Sequence, residues 1–210
     1  STILGHTLDC LKINNIKDLH IVTGYKDSLI KNYVNKNWKG NLSFNHNSIY
    51  NKSNVLYSFF LSIPYINNDE IIFIHADTIF TDNILRDLIK FRQNKDIVLP
   101  IDFKQCDEEE MKVITKNKNI TKISKNISLD EAEGEFLGLA YFSNSIVRKI
   151  EKMCHHMFKK NDYSFFVEAA IQKLIDDEGL RVDYLDIKKE RWIEIDTPED
   201  YEKAKKIFKN

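Results

Sequence analysis

At 210 residues and 42% hydrophobic composition, the chain is long enough for one substantial core and short for two. Its 31 Lys and Arg nearly balance 32 Asp and Glu, so there is no overall basic field to gather nucleic acid, and an anionic partner must be recognised by a local site. Cys10, Cys106 and Cys154 are odd in number and widely spaced, which excludes a disulfide framework or a zinc spacing and points to reduced thiols in the cytoplasm. No apolar run approaches the ~18 residues of a membrane span.

The opening residues Ile3, Leu4, Leu8 and Leu11 recur at helical spacing, and Asp18–Thr23 then reads as an apolar strand closing on Gly24-Tyr25. Residues 26–34 return to helical spacing, residues 42–45 form a short strand, and an Asn- and Ser-rich loop leads to a helix over 54–63 with Asn54 as N-cap and Pro64 at its end. Such alternation implies a parallel sheet covered by helices. Residues 70–77 (EIIFIHAD) read as a strand buried on both faces with Asp77 at its carboxyl edge, where ligand crevices of open α/β sheets lie. Read alone, Asp77 fits a turn former, or an outlying cap of the helix through Ile84, Leu85, Leu88 and Ile89, better than a ligand.

Residues 96–100 supply another buried strand. Beyond it, residues 111–115, 120–123 and 134–142 read as strands joined by polar turns, an antiparallel subregion, with 107–110 a solvated acidic turn. A helix over 144–158 carries His155 and His156 in its last turn, where capping is favoured over metal ligation. A second helix spans 165–175, with Glu168 assigned to its solvated face. Residues 181–187 and 192–196 are strands, and Thr197-Pro198 with Asp200 starts the closing helix.

Asp196 therefore ends a core strand much as Asp77 does. Two carboxylates brought together by their strands form a site for a hard divalent cation such as Mg²⁺, which binds through one or two carboxylates plus substrate phosphates. Gly24-Tyr25, Asn54-Val-Leu-Tyr-Ser58, His75-Ala-Asp77, Gly134-Glu-Phe-Leu-Gly138 and Trp192-Ile-Glu-Ile-Asp-Thr-Pro-Glu-Asp200 appear in an order and spacing that covers essentially the whole chain. This order resembles the nucleotidyltransferase superfamily, and most closely its small bacterial cytidylyltransferases that activate phosphocholine, similar phospho-alcohols and aminoalkylphosphonates. The resemblance implies a three-layer, Rossmann-like (GT-A-like) α/β fold with a mixed, mainly parallel sheet, helices on both faces and a small antiparallel subregion.

It also implies that Asp77 and Asp196 hold Mg²⁺, that Gly24, Asn54 and Ser58 lie near the nucleotide, and that Glu135, Gly138, Trp192 and Glu194 border the acceptor pocket. The partners implied are a nucleoside triphosphate, CTP favoured, and a small phosphorylated or phosphonate acceptor, without nucleic acid; a homodimer is compatible with this. Trp192, Tyr141, Phe136 and Tyr184 are candidates for aromatic faces around a quaternary ammonium, although strand aromatics more often fill the core. Two departures stand out. Members of the superfamily begin with a strand and a Gly-rich loop carrying an Arg and a Lys, so residues 1–210 read as a single domain lacking both, and His75-Ala76 stands where a Gly usually precedes the Asp. A sugar-phosphate nucleotidyltransferase, a GT-A glycosyltransferase and a non-catalytic ligand-binding domain are the alternative readings.

Overall fold

The computed structural model describes residues 2–66 and 69–208. Helix α1 (Ile3–Ile13) is started by Thr2, whose hydroxyl accepts from the Gly5 N–H at 2.9 Å. It leads into β1 (Asp18–Thr23), α2 (Asp27–Asn37) and β2 (Asn41–His46), with β1 and β2 paired in parallel as a two-stranded sheet. Helix α3 (Val55–Ser62) follows, stopped where Pro64 enters a single 3₁₀ turn.

Next come β3 (Ile71–Ile74), β4 (Thr78–Phe80), α4 (Asp82–Phe91) and β5 (Ile97–Asp102), then three short strands, β6 (Lys112–Lys116), β7 (Asn119–Ser124) and β8 (Gly134–Phe136). The chain finishes with β9 (Leu139–Phe142), α5 (Asn144–Met157), α6 (Val167–Glu178), β10 (Val182–Asp186), β11 (Trp192–Glu194) and α7 (Pro198–Ile207).

The larger sheet is centred on β5. Antiparallel β9 joins β5 to β3, and β10 runs parallel to β5, so β3, β5 and β10 point the same way. Strands β6, β7 and β8 add antiparallel pairings at the far end of β5, while β4 and β11 form a separate antiparallel ribbon. The α/β class and the antiparallel subregion match expectation. The strand pairings are more antiparallel than expected, because β1–β2 and β5–β10 are the parallel ones and the other seven among the described residues are antiparallel.

Apolar side chains gather on both faces of this sheet. On one face Leu99, Phe142, Ile146, Val147, Ile171 and Leu174 join α3, α5 and α6; on the other Leu8, Leu85, Leu88, Val98 and Leu139 join α1 and α4. Ile84, Leu85 and Leu88 of α4 are 0–2% exposed, and each contributes about 1.5–3 kcal/mol by leaving water. Among the described residues no helix is long and apolar enough to cross a membrane.

Two strands depart from the pattern read in the sequence. The apolar run of β3 is only half-buried at every position. Its one pairing among the described residues is with β9, and its other edge faces a cavity of about 1300 Å³ that β1 lines from the opposite side. The expected strand over 134–142 is broken into β8 and β9 at Gly138, whose φ of +75° no regular strand accommodates.

Candidate active site

Strand β3 ends at Ile74, and His75, Ala76 and Asp77 form the link to β4. The His75 N–H donates to the Gly138 carbonyl at 2.8 Å, which fixes this link against the break between β8 and β9. A Cβ at position 138 would lie 2.6 Å from His75 Nδ1, so glycine is required there for both its dihedral and the close approach of the ring. Phe73 and Phe136 meet the imidazole edge to face at 5.1 and 6.3 Å.

The β4–β11 ribbon carries the third part. Glu194 is in register with Thr78, and the Ile195 N–H donates to the Asp77 carbonyl at 3.0 Å. As a result His75, Asp77 and Glu194 each present one ligand atom, all within 4.8 Å of one another. His75 Nε2 and Asp77 Oδ1 are buried without a hydrogen-bond partner, a costly state that a bound cation would relieve. Two carboxylates and an imidazole fit a divalent metal, the oxygens suiting Mg²⁺ or Mn²⁺ and the nitrogen suiting Mn²⁺ or a softer ion. Glu194 is exposed as a residue, yet desolvation of its carboxyl, then the charges of Asp77 and Asp196, raise its pKa above the ordinary range.

Other expected residues divide into two groups. Asn54, Ser58, Asp77, Gly138 and Glu194 line the same cavity. Asn54 caps α3 through its Oδ1, which accepts from the Val55 N–H at 2.7 Å, and the Ser58 hydroxyl accepts from Asn47 Nδ2 at 3.1 Å. Asp196 is exposed in the turn before α7; its charge reaches Glu194, but its oxygens are not among the three convergent atoms. Gly24 does not line the cavity, and its missing Cβ leaves room for Tyr50, which would stand 2.7 Å away.

Glu135 and Trp192 belong to a different network. Lys104 Nζ pairs with Glu135 at 2.7 Å and lies 5.6 Å from the Trp192 ring centre, whose Nε1–H donates to Asp102 at 3.0 Å. Side chains of neighbouring strand residues point to opposite faces, so Phe136 lines the cavity while Glu135 turns away from it. Burial raises the Glu135 pKa to about 7, the ion pair with Lys104 offsetting only part of the effect. Nor do the aromatic candidates assemble into a cage: the Tyr141 hydroxyl donates to Glu70 at 2.9 Å, and Tyr184 packs on Phe103.

One site residue is the reverse of its expected role. Glu168, in the first turn of α6, is 1% exposed, lines the cavity, and has two buried oxygens without hydrogen-bond partners. His75 Nε2 lies 3.8 Å from it. Burial holds its carboxyl above the ordinary range, and the charges of His75 and Lys125 with the dipole of its own amide offset this only in part. The signal was in the sequence: an acid enclosed by Phe165, Phe166 and Val167 on one side and Ala169, Ala170 and Ile171 on the other does not mark a solvated face.

No family model matches the chain. A CTP:phosphoglutamine cytidylyltransferase from Campylobacter jejuni is 23% identical over 231 aligned residues, covering 95% of this chain and 85% of the relative. Among solved structures, the inositol-1-phosphate CTP transferase from T. maritima superposes with a TM-score of 0.81 at 22% identity, over 99% of this chain and 84% of that one. A CTP:phosphocholine cytidylyltransferase from Streptococcus pneumoniae gives 0.75 at 20% identity, over 100% and 86%. The likeness in sequence and in fold runs nearly end to end, and the chain has the fold of these nucleotidyltransferases.

Proposed function

We propose that this chain is a metal-dependent nucleotidyltransferase that moves CMP from CTP to a small phosphorylated or phosphonate acceptor and releases pyrophosphate. The convergence of His75, Asp77 and Glu194, with buried ligand atoms unpartnered, in the cavity also lined by Asn54, Ser58 and Lys125, carries this reading. The choice of CTP rests on the three named relatives, each a CTP-dependent transferase. In the reaction an ionised acceptor oxygen attacks the α-phosphorus; a new P–O bond forms, the bond to the bridging oxygen of the β-phosphate breaks, and its electron pair leaves with pyrophosphate. The attacking oxygen is already ionised, so no side chain has to remove a proton, and positioning with charge neutralisation is what the protein supplies.

Mg²⁺, when bound, supplies charge neutralisation at the triphosphate. Asp77 and Glu194 would hold it with His75, and Asp196 adds negative charge nearby. Asn54 and Ser58, at the start of α3, lie toward the nucleotide, and Lys125 offers the acceptor's anionic group a cation. The decisive test measures pyrophosphate release from each of the four nucleoside triphosphates with Mg²⁺ and a panel of phosphocholine, phosphoethanolamine, aminoethylphosphonate and sugar phosphates. Release that requires CTP and one acceptor establishes the transferase; no release with any pair overturns it in favour of a ligand-binding domain.

We also infer that one more extended strand completes the sheet between β1 and β3. The edges they leave unpaired among the described residues line the same cavity, and the Ile-Ile-Phe-Ile run of β3 stays half-exposed there. A strand feeding α1 would reach this position by the right-handed crossover that parallel βαβ units adopt. By the resemblance, a Gly-rich phosphate loop would follow that strand. Amide hydrogen exchange of residues 1–210, against a chain extended upstream of Ser1, tests this: the extension should slow exchange in both β1 and β3, and unchanged exchange in β3 would remove the idea.

A further inference from the structure

The cavity holds two chemistries that the nucleotide and its metal do not use together. His75, Asp77 and Glu194 converge on one point, whereas Glu168 is not a member of that group and reaches the cavity from α6, with its Oε1 3.8 Å from His75 Nε2. Phe136, Phe166 and Lys125 line the same cavity, and Lys125 Nζ lies 5.6 Å from the Phe166 ring centre. A carboxyl so enclosed, with both oxygens unpartnered, carries a desolvation cost that N–H or O–H donors from a ligand would relieve.

We propose that Glu168 is the specificity-determining residue of the acceptor subsite, and that it selects acceptors whose far end is a primary ammonium group, an ω-amino phosphate or phosphonate. This rests on the reading of the cavity as a nucleotidyl-transfer site. A primary ammonium brings three N–H donors and the compensating charge, so it satisfies both oxygens of Glu168. A quaternary ammonium brings the charge without a donor and leaves both oxygens unbonded. A neutral hydroxyl brings one donor without the charge. Lys125, across the same space, suits the acceptor's anionic end, which makes the subsite complementary to a zwitterion. The donors that Glu168 lacks thereby favour aminoalkyl acceptors over choline.

Three acceptors of matched length separate these cases: phosphoethanolamine, phosphocholine and ethylene glycol monophosphate, each tested with CTP and Mg²⁺ on the full-length protein. The unmodified enzyme should favour phosphoethanolamine over both others by at least ~30-fold in kcat/KM, since a site built for hydrogen-bond donors rejects analogues that lack them. Glu168→Gln should cut the phosphoethanolamine-to-glycol ratio by at least ~30-fold, mainly through KM for the amine, with its folding checked by thermal unfolding. A ratio unchanged within about threefold while both rates fall together would show a structural role and overturn the proposal, as would a preference for phosphocholine. If no acceptor turns over, calorimetric titration with phosphoethanolamine decides. Binding that is lost in Glu168→Gln keeps the subsite while the transfer reading falls, and no binding to the unmodified protein sinks both.

Discussion

Two charged clusters flank β8, and they differ in one respect. Around Lys104, Glu110, Glu135 and Lys112 each buried charge has found a protein partner: Lys104 bridges Glu110 at 2.8 Å and Glu135 at 2.7 Å, and Lys112 Nζ donates to the carbonyls of Asp107, Glu108 and Glu110. Around His75, Asp77 and Glu168 the partners are missing. Among the described residues, six buried side-chain polar atoms lack a hydrogen bond, and four of them belong to these three residues on one cavity. Residue type does not separate the clusters, since both are built from acids and a basic group. Satisfaction does: a closed network needs nothing more and stabilises the fold, whereas an open one is completed by a ligand.

This contrast is most sharply tested at Asp77. Asp77→Asn should lower metal-dependent turnover by at least ~10³-fold, about 4 kcal/mol of transition-state stabilisation, while thermal stability stays level or rises because a buried charge is gone. Glu194→Gln and Asp196→Asn, assayed beside it, sort the two remaining acids; a larger loss from Asp196→Asn would make Asp196 rather than Glu194 the second ligand. At the closed cluster the outcome should invert. Lys112→Ala leaves three carbonyls without their donor and opens a void, so it should cost about 3 kcal/mol in urea unfolding with little change in the activity of the folded fraction.

Glu135 gives the contrast a pH dependence. Its carboxyl titrates near 4.5 when unfolded and at about 7 when folded, so the folded state binds the proton more tightly. The corresponding stability is fully present below pH ~4.5 and is lost as pH rises to about 7, by at most about 3 kcal/mol. Glu135→Gln should flatten that slope and leave turnover within about threefold; an unaltered slope would assign it to another group. The smallest effect is expected at the hinge between the clusters. Gly138→Ala meets both a positive φ and the His75 ring, so it should cost about 1–2 kcal/mol and weaken metal binding, measured as the Mg²⁺ concentration for half-maximal rate, by roughly tenfold. Unchanged metal dependence would uncouple Gly138 from the position of His75.

Element type and order were legible from the residues because they are local properties. The apolar period of α4, the Thr197 capping box of α7 and the helix–strand alternation need only neighbours along the chain. Asp77 was legible too, as an acid closing an apolar strand. What the sequence did not disclose was pairing at a distance. Which acid joins Asp77 depends on the register of β4 on β11, which sets Glu194 opposite Thr78 and leaves Asp196 beyond the strand's end. Whether Glu135 or Phe136 faces the cavity depends on which side of β8 is covered, and a shift of one residue would exchange them. Glu168 shows the limit most clearly: its apolar neighbours along the chain speak against a solvated face, but only the packing of α6 against His75 and the cavity wall makes it a buried, unpartnered carboxylate. Local propensity therefore determined the elements, and tertiary packing decided which charges were left without partners.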